Sequence, residues 1–136
     1  MTYTSSPLHA AVIAQRENVL LTTIEKDRAY IDMPDSFGSY PIIDAVKLNN
    51  CTIAKLLIDA GCNLVVFDSN GDSALSSACF NNNLSLVQLI YESLIRKGVN
   101  INDAIDDPNK SLLYSQRANE CSKFLISKGL LDPYPE

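Results

Sequence analysis

Ser6-Pro7-Leu8-His9-Ala10-Ala11 returns as Tyr40-Pro41-Ile42-Ile43-Asp44-Ala45 and again, weaker, as Ser73-Ala74-Leu75-Ser76-Ser77-Ala78, at steps of 34 and 33 residues. A fixed period in this range belongs to solenoids, whose units stack because none can bury its apolar face alone. The fold is then constrained to a linear array, and function to a surface that the repeats share.

The second half of the unit recurs as well. Ile53-Ala54-Lys55-Leu56-Leu57-Ile58-Asp59-Ala60-Gly61 is answered by Leu86-Val87-Gln88-Leu89-Ile90 running to Gly98, and by Phe124-Leu125-Ile126-Ser127-Lys128-Gly129. Apolar residues at i, i+3 and i+4 predict a helix with one buried stripe, closed by a glycine in the left-handed conformation. Between units stand Asp35-Ser36-Phe37-Gly38 and Asp68-Ser69-Asn70-Gly71, with a weaker Asp106-Asp107-Pro108-Asn109. Asp heading a turn accepts backbone N–H bonds, while Gly or Asn tolerates positive φ, so each reads as the tight tip of a hairpin loop.

Spacing differences predict irregular units. Leu86 to Gly98 spans twelve positions where Ile53 to Gly61 spans eight, which adds about one helical turn and predicts a longer helix ending near Lys97. In the fourth unit the step from Leu112 to Arg117 replaces the longer one from Pro41 to Asn49, and a short first helix is expected. Units at roughly 2–34, 35–67, 68–105 and 106–131 account for nearly all of the 136 residues as one domain, with 132–136 as a loose tail. Apolar content of 46% is ample for a shared core.

Charge and residue types exclude several functions. The balance of 11 basic against 16 acidic residues, −5 net, argues against a nucleic-acid face and for a partner with a basic surface. The acidic row Asp35, Asp68, Asp72, Asp106 and Asp107 falls at the tips. Aspartates of that kind also cap turns, and these are not expected to converge on a cation. With no Cys-x-x-Cys and His9 as the single histidine, no metal site is expected. No glycine-rich phosphate loop appears, and no cofactor is expected. The amino-terminal stretch from Met1 to Ser6 lacks a basic start and an apolar run, and no stretch approaches the ~18 apolar residues of a membrane span. A cytoplasmic protein that does not bind membranes, monomeric when free, is expected.

Pro7-Leu8-His9-x-Ala11, Leu56-Leu57 followed by Gly61, and Gly98-Val99-Asn100-Ile101-Asn102 together resemble the ankyrin repeat family over roughly residues 5–131. The departures matter too: Ile43, Ser76 and Tyr114 stand where the family prefers His. The resemblance implies an all-α, ankyrin-type helix-turn-helix solenoid of about four repeats, the last atypical. It gives His9 the structural task of tying loops together. It also places Cys51, Cys62, Cys79 and Cys121 where small or apolar residues sit, as reduced and mostly buried thiols, and it puts Asn102 where such repeats can be hydroxylated.

Family members bind other proteins on a concave side made of hairpin tips and first-helix faces. Carried over by position, that side offers Ser36, Phe37, Ser39, Asp44, Lys47 and Leu48 in the second unit and Ser69, Asn70, Asp72, Phe80 and Asn81 in the third, with Tyr3 extending the row. Phe37 and Phe80 are the expected anchors, because aromatic residues dominate interface energies. Asp44 and Ser77 occupy positions that the family often fills with apolar side chains. A buried unpaired carboxylate is costly, so Asp44 should face the groove or be paired, with Lys47 one turn along as the candidate. The implied function is that of a non-enzymatic blocker, such as an immunity protein neutralising a toxin. The alternative is an adaptor or secreted effector using a second surface around Leu94, Ile95, Arg96 and Lys97.

Overall fold

The structure, a computed structural model, describes residues 7–26, 28–116 and 119–134; Tyr3, Arg117 and Glu136 lie outside them. Among the described residues there are eight α-helices and no strand: α1 (Pro7–Ile13), α2 (Glu17–Lys26), α3 (Pro41–Lys47), α4 (Cys51–Asp59), α5 (Ala74–Phe80), α6 (Leu84–Arg96), α7 (Asp107–Ser115) and α8 (Glu120–Ser127). None is long and apolar enough to cross a membrane. Odd-numbered helices stack on one another in the order α1, α3, α5, α7, and even-numbered ones in the order α2, α4, α6, α8.

The helices from α3 to α8 start where the sequence supplies a first-turn device. Pro41 opens α3, where its missing N–H would have had no partner. Ser73 and Ser76 form a reciprocal capping box at α5, and the Ser73 hydroxyl donates onward to the Ala104 carbonyl. Asn50, Asn83 and Asn119 cap α4, α6 and α8 through their side-chain oxygens. The same amides knit repeats together: Asn50 Nδ2 donates to Gln15 Oε1 at 3.0 Å and Asn83 Nδ2 to Asn49 Oδ1 at 2.9 Å. Gln15, Asn49 and Asn82 make the turn between paired helices at φ +55°, +60° and +53°. Asn tolerates this left-handed region better than most residues.

The helical stripe packs as one continuous core from Leu8 to Leu130. Ile53, Ala54, Leu57 and Ile58 are the buried face of α4, and Leu86, Val87, Ile90 and Leu94 that of α6. Truncating Leu57 to alanine would leave a cavity shared by neighbouring repeats and cost about 2–5 kcal/mol.

The thirteen-residue α6 exceeds the nine-residue α4 by the expected turn, and Lys97 is its C-cap. The fourth unit differs from expectation. Its first helix has nine residues, against seven in α1, α3 and α5, because Asp107, Pro108 and Asn109 belong to the helix instead of forming a hairpin tip. Proline at the second helical position leaves no hydrogen bond broken, so the apparent turn signal is a helix start. The thiols are mostly buried, as expected: Cys62, Cys79 and Cys121 are buried and Cys51 is exposed.

Candidate protein-binding face

The two hairpin tips are built alike. Asp35 N–H donates to Ser39 O at 2.9 Å and Gly38 N–H to Asp35 O at 3.0 Å; Asp68, Asp72 and Gly71 repeat the pattern at the same distances. Asp35 Oδ1 accepts from the N–H groups of Phe37 and Ser39, and Asp68 Oδ1 from those of Asn70 and Asp72. The tips also lean on each other, since Ser69 Oγ donates to Phe37 O at 3.1 Å. Asn109 Nδ2 donates to Gly71 O at 3.1 Å, so α7 braces the tip of the third repeat. Gly71, at φ +82°, is doubly required: a Cβ there would lie 2.6 Å from Asp106 Oδ2.

Charges on this face are largely engaged. Lys47 Nζ reaches forward to Asp68 Oδ2 at 2.8 Å and Asp72 Oδ2 at 3.3 Å, not back to Asp44, which corrects the expected pairing. Lys47 lies in the last turn of its helix, and its long stem carries the ammonium to the next tip. Burial pushes the Asp68 carboxyl up, but the hydrogen bonds from Lys47 and from the Asp72 and Asn70 N–H groups, with the Lys47 charge, hold it below the usual range. Burial likewise works against the Lys47 ammonium, and the two aspartates outweigh it and raise its pKa.

Asp44 instead accepts from Ser39 Oγ at 2.6 Å. Burial raises its pKa, the Ser39 hydroxyl and His9 oppose the rise, and Asp35 adds to it. His9 Nε2 meets Ser39 O at 3.0 Å, tying α1 to the Asp35 tip. His9, Asp35 and Asp44 offer ligand atoms all within 4.8 Å of one another and are the described residues best placed to share a cation. All three already make hydrogen bonds within the junction of tip and helices.

Of the site residues expected from sequence, Ser36, Phe37, Ser69 and Asn70 are exposed on the tips, and Lys47, Leu48 and Asn81 are exposed at the ends of α3 and α5. Among the described residues Phe37 is the most open large apolar one, at 70% exposure. Ser39, Asp44 and Asp72 are half-buried, as is Phe80, which packs against the core. Asn81 Nδ2 donates to Val46 O at 3.2 Å, so part of its side chain braces the preceding repeat. Ser77 is buried, with no hydrogen-bond partner for its hydroxyl among the described residues.

Sequence reasoning missed Ile13, 56% exposed at the position equivalent to Lys47 and Phe80; the 34- and 33-residue steps counted from Pro7 would have found it. It also missed a second set of ties on the other edge. Asn63 N–H donates to Asp32 Oδ1 at 2.7 Å, Arg28 to Ala60 O at 3.1 Å and Lys97 to Cys62 O at 2.7 Å. Asn102 belongs with these, its amide bridging Gly129 O and Leu131 N–H.

A family model described as ankyrin repeats (3 copies) matches residues 8–105. NF-kappa-B inhibitor alpha from Gallus gallus is 30% identical over 88 residues, which are 62% of this chain and 28% of that protein. With most of its length matched by the family model and its helices paired and stacked in register, the chain belongs to the ankyrin repeat family.

Proposed function

We propose that this chain is a non-enzymatic module that binds a partner protein on the face formed by its hairpin tips and first helices, and acts there as a stoichiometric blocker, such as an immunity protein neutralising a toxin. Phe37 carries this reading. Its ring stands 70% exposed, while its N–H is fixed by Asp35 and its carbonyl by Ser69. An aromatic side chain on an immobilised backbone loses little entropy on binding, which is the condition for an interface anchor. Membership of a repeat family whose named relative is an inhibitor supports the blocking role.

The net charge of −5 favours a basic partner by steering its approach. Asp68 contributes little to direct contacts, because both its oxygens are taken up by its own loop and by Lys47, and Oδ1 of Asp35 is likewise taken up by its own loop. The four free cysteines suit a reducing compartment such as the cytoplasm.

A second surface, which an adaptor would need, is favoured by one observation: Ile95 on the added turn of α6 is 52% exposed. Its neighbours offer less than the sequence implied, with Leu94 buried and Lys97 tied to the Cys62 carbonyl.

The test is capture from native lysate by wild type beside a folded Phe37→Ala, Phe80→Ala double variant. One partner in 1:1 ratio, lost with the variant and inhibited in its own activity by wild type, is the expected result. Equal capture by both proteins places binding on another face. Capture without inhibition removes the blocking role.

A further inference from the structure

Two of the buried thiols meet across a repeat boundary. Cys79 lies one residue before the end of α5, and Cys121 lies in the first turn of α8. Both are 0% exposed, each lies near enough to act on the other's ionisation, and Ser122 Oγ, on the residue next to Cys121, sits 3.7 Å from Cys79 Sγ. The other two cysteines are placed elsewhere, Cys51 exposed at the start of α4 and Cys62 buried just beyond its end. α5 and α8 are neighbours in the fold, so the pair joins two elements that are already close.

We propose that Cys79 and Cys121 are an oxidisable dithiol, converted by a small-molecule disulfide such as oxidised glutathione into a covalent clamp that fastens the fourth repeat to the third. In the closed fold the reaction is slow. Burial pushes the Cys79 thiol up to about 12 and raises Cys121 as well, and the thiolate is the nucleophile. Reaction therefore waits on local opening of the contact between α5 and α8, which exposes the sulfurs.

On opening, Cys121, close to the backbone N–H groups that begin α8, is the better placed to ionise. Its thiolate attacks one sulfur of the oxidised glutathione, forming a mixed disulfide and releasing one glutathione thiolate, which takes up a proton. Cys79, deprotonated in turn, attacks Cys121 Sγ and displaces the second glutathione. The protein loses two hydrogens and two electrons, and one disulfide of glutathione becomes two thiols. The clamp closes a loop across 42 positions of sequence, restricting the unfolded chain and blocking the opening that admitted the oxidant.

The experiment equilibrates the full chain with oxidised glutathione, quenches with an alkylating agent, and reads intact mass, peptide map and Tm. A loss of two mass units, a peptide joining Cys79 to Cys121 and a Tm rise of roughly 5 °C or more, reversed by reduced glutathione, is the expected result. A Cys51→Ser variant should behave the same way, and Cys121→Ser should lose both the bridge and the Tm rise. A bridge between any other pair, a bridge with unchanged Tm, or glutathione on Cys51 with Cys79 and Cys121 still alkylated after denaturation would overturn the proposal. The wild-type peptide map decides the matter even if the Cys121 variant does not fold.

Discussion

Lys47 Nζ stands 2.8 Å from Asp68 Oδ2, joining the last turn of one repeat's first helix to the tip of the next. Asp68 is the more dependent partner: its side chain is 5% exposed, against 40% for Lys47. Lys47→Met should therefore leave a poorly hydrated carboxylate held only by its loop, at a cost of about 1–2 kcal/mol after allowing for the exposure of the lysine. The folded-state pKa of Asp68 is depressed, so this stabilisation is present above the unfolded value near 4 and is lost as pH falls through the folded one. Urea unfolding of both proteins at pH 7 and pH 3 should show the difference at pH 7 shrinking in acid; a gap independent of pH would remove the ion pair as its cause.

Gly38 and Gly71 occupy the same turn position, at φ +79° and +82°. A Cβ on Gly38 would meet only ordinary contacts with Ser69, whereas one on Gly71 would meet Asp106 Oδ2 at 2.6 Å. Gly38→Ala should cost about 1 kcal/mol for the left-handed backbone, and Gly71→Ala more, about 2 kcal/mol once Asp106 is displaced. Adding Asp106→Ala should recover the excess in the second case and nothing in the first, as a double-mutant cycle in urea would show.

The parts of this architecture legible in the sequence share one cause. Where a position must be apolar, left-handed or a cap in every repeat, residue type recurs at the period, and Leu57, Gly61 and the Asp-Ser-x-Gly tips declare themselves. Lys47 was harder to read because its partner is set by the reach of a four-carbon stem, which makes the next repeat's Asp68 closer to its ammonium than Asp44 one turn away. The fourth repeat misled for another reason: Asp-x-Pro is chemically suited both to a turn and to a helix start, and only the packing of Asn109 against Gly71 selects the helix. Ties through backbone carbonyls, such as Lys97 to Cys62, leave no complementary side chain to read.

Phe37 and Phe80 should separate binding from stability. Phe37 is mostly in water, so Phe37→Ala should change unfolding free energy by less than about 0.5 kcal/mol yet weaken partner binding about 30-fold if the ring is an anchor. Phe80 packs partly on the core, so Phe80→Ala should lower stability by about 1–2 kcal/mol as well. Calorimetric unfolding beside titration against the captured partner checks both. Full affinity in a stable Phe37→Ala protein would remove the tip from the interface.

Asp44 should respond to pH in the sense opposite to Asp68. Burial raises its pKa, only partly opposed by the Ser39 hydroxyl and His9, and the neighbouring Asp35 raises it further. The folded state therefore holds the proton more tightly than the unfolded chain does. This group's contribution to stability falls as pH rises from the unfolded value near 4 through the folded one, then levels. Asp44→Asn keeps an oxygen to accept from Ser39 and removes the charge. Relative to wild type, the variant should gain stability as pH rises from about 4 to about 7, because contributions common to both proteins cancel in the difference. Denaturation midpoints across that interval test it, and a difference that stays flat or declines with pH would show that Asp44 is stabilised as an anion by the junction around His9.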